Sequence, residues 1–147
     1  AVKFYSARSL PADPAMRASL RTLVSGMAAR TPVVLLETDV RVDEHDDFTF
    51  DGIPNTYNAR ALMTPVTNLA VQTQIIAASR MFVGTCGSVA WLAPMLGVDT
   101  IAVFADASFL HAHLHVARRA FQKLSGAGAF SPCDIAAMTR LGFTVGS

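Results

Sequence analysis

The sequence predicts an α/β protein: a mostly parallel sheet of five or six strands between two layers of helices, a three-layer sandwich spanning residues 1–147 as one domain. Three observations carry this. The runs VVLL (residues 33–36) and TIAVF (100–104) are apolar without alternation, as strands buried on both faces are. They alternate with segments whose apolar residues recur at helical spacing. Just over half of the 147 residues are apolar and only 16% are charged, which supplies a sizeable core and argues against disorder.

Taken in order, VKFYS (2–6) is β-branched and aromatic and reads as the first strand. RSLPAD is a loop. Asp13 and Pro14 start a helix, the Asp as N-cap and the Pro at the first helical position. Met16, Leu20, Leu23, Val24 and Met27 form its apolar face, and Thr31-Pro32 stops it. VVLL follows as the second strand. The polar, acidic stretch 37–58 reads as a long loop, and residues 59–63 as a short strand. Thr67 or Asn68 caps a helix running through Ile76 to about Ser79, and residues 81–83 are the next strand.

A helix over 88–96 then ends at Gly97, a left-handed stop, with Pro94 expected to kink it. TIAVF is a further strand. Leu110, Leu114, Ala117, Phe121 and Leu124 mark a long helix. SGAGA (125–129) is a flexible joint, Ser131-Pro132 with Asp134 begins a last short helix, and residues 143–145 read as a final strand.

Charge and cysteine content narrow the function classes. A formal net charge of +1 leaves no basic surplus for a nucleic-acid backbone. The uncharged run 81–98 is long enough to raise a membrane span, but its Gly, Thr, Cys, Ser and Pro fit strand–turn–helix better, so membrane association is expected to be peripheral at most. Cys86 and Cys133 match no metal or redox spacing. They read as free thiols in a reducing, cytoplasmic compartment, with a disulfide as the alternative. The chain opens directly on a strand without a signal-peptide pattern, which suggests a domain cut from a longer protein.

In such a sheet a ligand binds beyond the carboxyl ends of the strands, where the winding reverses. In a Rossmann-like order the first and fourth strands meet there, bringing SARSL and GTCGS together. A helix N-terminus offers unsatisfied amides and partial positive charge to phosphate oxygens. Gly84 and Gly87 let the backbone come close, Ser88 adds a hydroxyl, and Arg8 supplies a planar fork for a phosphate. The alternative is a tight turn and nothing more. The pattern is neither the dinucleotide fingerprint nor a P-loop, which needs a Lys. Glu37 and Asp39, at the end of the second strand, are placed to bond ribose hydroxyls.

VDEHDDF (42–48) and HAHLH (111–115) carry metal-ligand residue types. Loop carboxylates more often solvate or cap, and Arg118 beside His111 and His115 opposes a cation, so no metal is assigned to either. His113 starts a helix that follows a strand, within reach of a ligand, or else it belongs to a polar helix edge. Trp91 reads as core.

The stretch NLAVQTQIIAASRMFVGTCGSVAWLAPMLGVDTIAVF resembles the C-terminal donor-binding domain of GT-B type glycosyltransferases. Residues 79–84, Gly87-Ser88, Leu92-Ala93 and 96–98 occupy the places of that family's "a..ad.fvg" turn and "hlA..lG" helix. FYSARSLP and PVVLLET resemble the domain's first two strands. Polysaccharide pyruvyl transferases and UDP-sugar epimerases carry related stretches.

The resemblance implies a fragment of a two-domain hexosyl-, fucosyl- or heptosyltransferase. Its donor, a nucleotide-diphosphate sugar, is held at Arg8 and at Gly84, Thr85, Cys86, Gly87 and Ser88. It implies no cofactor or bound metal, and an N-terminal domain that supplies the acceptor site and any catalytic base. A different class of reading is a non-catalytic Rossmann-like interaction domain that has lost its donor. A complete small enzyme, an epimerase or phosphatase, finds no nucleophile–base motif to support it.

Overall fold

The computed structural model describes residues 1–38, 45–108 and 110–140. Among them, parallel strands form one sheet: β1 (Val2–Lys3), β2 (Val33–Leu35), β3 (Thr56–Asn58), β4 (Met81–Thr85), β5 (Asp99–Phe104) and β6 (Phe130–Asp134), in the order β3-β2-β1-β4-β5-β6. The helices are α1 (Pro14–Ala28), α2 (Asn68–Ala77), α3 (Ser88–Met95), α4 (His111–Phe121) and α5 (Ile135–Arg140). The fold is a Rossmann-like three-layer sandwich. Winding runs outward from β1 to β3, returns to β4 beside β1, and continues to β6.

Alternation along the strands divides the core. Val83 and Val103 face one cluster with Leu20 and Val24 of α1 and Ile135 and Met138 of α5. Phe82 and Ala102 face the other, with Ile76 of α2, Ala90 and Ala93 of α3 and Leu114 of α4. Asp13 caps α1 as its sequence foretells, accepting the Met16 amide at 2.8 Å. Gly97 (φ 79°) turns the chain out of α3.

Several expectations give way. Regular pairing in the first strand covers only Val2–Lys3. The stretch read as a long loop contains β3, and residues 59–63 hold a 3-10 turn (Arg60–Leu62) instead of a strand. The Asn58 side chain accepts the Arg60 amide at 2.8 Å and bends the chain out of the sheet. Ser131 and Pro132 lie inside β6, an edge strand where proline's missing donor is tolerated. The last helix starts after Asp134, which accepts the Ala136 amide. Leu124 lies past the end of α4 and is exposed. The strand expected at 143–145 falls outside the described residues.

Candidate functional site

The reversal between β1 and β4 holds a cavity of about 570 Å³. Its walls are built from the exits of those two strands. Thr85, fully buried, accepts the Tyr5 amide and donates to the Tyr5 carbonyl, both at 2.9 Å. This two-way clasp holds the β1–α1 loop beside the β4–α3 turn, so Arg8 lines the same cavity as Cys86, Gly87 and Ser88.

Each of these residues has a distinct part. Gly87 is the N-cap of α3 and makes no side-chain cap, while Ser88 opens the helix on the exposed side. Gly87 has extended backbone (φ −172°), so its conformation does not demand glycine. A Cβ at position 87 would lie 2.1 Å from the Tyr5 hydroxyl, the far end of a side chain that would have to move aside. Cys86 is buried, and its amide extends the sheet by donating to Val103 at 2.8 Å. Burial pushes its thiol up to about 11, against a smaller opposing effect of the Trp91 indole N–H, so the wall it forms is a neutral thiol.

Arg8 is exposed at the mouth. Asp106 stands near it, because the Ser9 carbonyl accepts the amides of Ala105 and Asp106 and ties that loop down. The Asp106 carboxyl is held below its usual range by the Ser108 amide and hydroxyl, and further by the charge of Arg8. On the floor, Lys3 donates to the Leu36 carbonyl (2.9 Å) and pairs with Asp47 (3.1 Å), which also accepts the Thr38 amide (2.7 Å). Across the mouth, His45 Nδ1 donates to the Ser6 carbonyl at 2.7 Å, and its ring lies 5.3 Å from that of Tyr5. From α2, Asn68 and Gln72 complete the wall.

Not every residue expected at the site lines the cavity. Gly84 sits within the sheet opposite Lys3, where a Cβ would lie 2.3 Å from the Lys3 carbonyl oxygen. It serves the close approach of β1 and β4. Thr85 lies behind the wall, as the clasp. Glu37 is buried away from the cavity. It accepts the Phe50 amide (2.9 Å), the Asn58 side-chain amide (2.6 Å) and Arg60 (2.9 Å). Desolvation raises its pKa despite those partners. No ribose hydroxyl is needed to satisfy it. His113 stacks on Trp91 (5.8 Å, 25°) in a separate groove between α3 and α4. Asp39 lies outside the described residues.

As cavity-lining residues, Lys3, Tyr5, Asn68 and Gln72 escaped the sequence reading. For the last two a signal exists: Asn68, Gln72 and Ile76 are spaced four apart on one helix, and Ile76 belongs to the core. Among the described residues no three His, Cys, Asp or Glu side chains gather as a metal-ligand set, and no helix is long and apolar enough to cross a membrane. Comparison with family models, curated proteins and solved structures finds no match to the chain.

Proposed function

We propose that this chain is a donor-binding domain of a glycosyltransferase, holding the diphosphate of a nucleotide sugar in the β1–β4 cavity. One observation carries the reading. A guanidinium and a helix N-terminus without a side-chain cap, 80 residues apart in sequence, line one cavity at the reversal of the winding. The resemblance of residues 67–104 to GT-B donor domains, which includes the same turn, also supports it. Arg8 grips phosphate oxygens with a planar fork, and the first-turn amides of α3 add fixed dipoles. Both favour a diphosphate more as it gathers charge on leaving the sugar. The acceptor and any base belong to a second domain, and the cytoplasm, where such donors are made, is the proposed location.

Calorimetric titration with UDP and GDP tests this. Binding of at least one is expected, weakened about tenfold or more by Arg8→Ala, as for loss of a charge-assisted hydrogen bond. No heat with either nucleotide overturns the reading.

The interaction-domain alternative has one observation in its favour. The groove of about 320 Å³ between α3 and α4 exposes Met95 and Val116 beside Trp91. Sedimentation over a concentration series separates it: self-association without nucleotide binding would favour this alternative.

A further inference from the structure

We infer that the groove between α3 and α4 receives an amphipathic helix of a partner protein, one whose apolar ridge is flanked by acidic residues. The groove shares no residue with the β1–β4 cavity, so the inference holds whether or not that cavity takes a nucleotide.

Two stripes form the banks. Trp91 and Met95 stand four apart on α3, and Ala112, Val116 and Ala120 stand four apart on α4, so each set shares one helix face. Between them lies a cavity of about 320 Å³. The α4 stripe rises about 12 Å, roughly two turns. Its two alanines keep the trough open, while Met95 (57%) and Val116 (66%) stand exposed on the banks. The stack of Trp91 on His113 ties the two helices together. Such a trough suits a helix ridge with apolar residues at i, i+4 and i+7.

Charge selects the partner. No Asp or Glu occurs in residues 81–98 or 107–133, and none in any helix among the described residues. Arg119, three residues after Val116 on the same side of α4, is exposed, as is Lys123 just past the helix end. The nearest acids in sequence, Asp99 and Asp106, accept the backbone amides of Ala129 and Ser108. The face is thus apolar and basic, and its complement is apolar and acidic. A second copy does not supply that complement. Its described helices carry no acid, and setting α4 against α4 opposes like charges. A bilayer would rest on the banks and leave the trough empty, whereas a helix ridge fills it.

Trp91 is the only tryptophan of the chain and lines the trough, so its emission reports what enters. The test titrates the chain with a synthetic helical peptide free of Trp and Tyr, Leu on one face and Glu on the other, and with the same peptide carrying Lys for Glu. The acidic peptide should shift the emission to the blue and saturate below about 1 mM; the basic one should bind at least about tenfold more weakly. Val116→Glu should weaken the acidic peptide about tenfold. Arg119→Glu should weaken it about threefold, and by less in about 0.5 M salt. Both positions are exposed, so the melting temperature and any binding of UDP or GDP should be unchanged. No saturable response to the acidic peptide, an equal response to both peptides, or indifference to Val116→Glu overturns the inference. So does an equal shift with phosphatidylglycerol vesicles, which would make the face a lipid surface. A shift that grows with the concentration of the chain alone overturns it too, by making the face a contact between copies. None of these outcomes touches the anion site.

Discussion

β1 has two neighbours, and their exits differ. Past β2, Glu37 is buried and accepts from three groups: the Phe50 amide, the Asn58 side chain and Arg60. Past β4, the chain runs into a helix start whose N-cap is a glycine without a side-chain cap, at the wall of an open cavity. Both exits looked like ligand sites in the sequence, since each puts polar residues at a strand's carboxyl end. The difference is in how completely the polar groups are satisfied. A carboxylate with its hydrogen bonds made has no demand left for a ligand, and here it braces the outer strand β3 through Asn58. A helix start without a side-chain cap on a cavity wall keeps that demand.

The sharpest way to break this comparison is to remove the brace. Glu37→Ala strands the Phe50 amide and the Asn58 side chain in a buried setting, and Arg60 loses its carboxylate. The expected cost is about 3 kcal/mol, read as a lower urea midpoint. Nucleotide binding by the folded fraction should be unchanged. A loss of affinity with stability intact would mean that Glu37 is a ligand contact after all. The pH dependence has a definite sign. Glu37 binds its proton more tightly folded than unfolded, so its contribution to stability is greatest at low pH. That contribution falls as pH rises from the ordinary glutamate range through the raised folded value. In Glu37→Ala this fall should vanish.

The two glycines of the β4 exit make a second pair. At Gly84 an added Cβ meets the Lys3 carbonyl oxygen at 2.3 Å and the Phe82 ring at 2.7 Å. Neither the β1 backbone nor a fully buried ring can give way easily. Gly84→Ala should cost about 2 to 3 kcal/mol by overpacking. At Gly87 the nearest atom is the tip of Tyr5, a partly exposed side chain at the cavity mouth. Gly87→Ala should cost less than about 1 kcal/mol and act on affinity instead, by displacing the Tyr5 hydroxyl. Thermal melts and nucleotide titrations on the two variants should separate along those lines. Equal destabilisation would mean that Tyr5 is as fixed as the sheet.

The same contrast explains what the sequence made legible. Asp13-Pro14, the apolar stripe of α1 and the uniform runs of β2 and β5 are local signals, and each became the element it announced. β3 and β6 carry no such run. They are edge strands, formed by pairing with β2 and β5, and β6 contains Ser131 and Pro132. At the site, Arg8 and the Gly87-Ser88 turn were visible because strand order alone brings their loops together. The roles of Glu37 and Gly84 were not, because residue type does not reveal whether partners from distant segments are present. Gln72 escaped because a polar residue in a helix reads as solvent-facing until its neighbours are known.

The smallest expected effect tests the open exit from its rim. Asp106 is a solvated carboxylate that Arg8 helps keep ionised, so by reciprocity it draws on the same guanidinium a phosphate would use. Asp106→Asn removes that competing charge and keeps an acceptor for the Ser108 amide. Affinity for a nucleoside diphosphate should rise about two- to threefold at low ionic strength, the scale of an exposed ion pair. The gain should fade as salt approaches about 0.5 M, where screening is short-ranged. In an Arg8→Ala background the substitution should change little, because its effect passes through that one side chain. A gain that persists without Arg8 would mean that Asp106 repels the ligand directly through the general field of the mouth, and the guanidinium would then have no privileged place in the site.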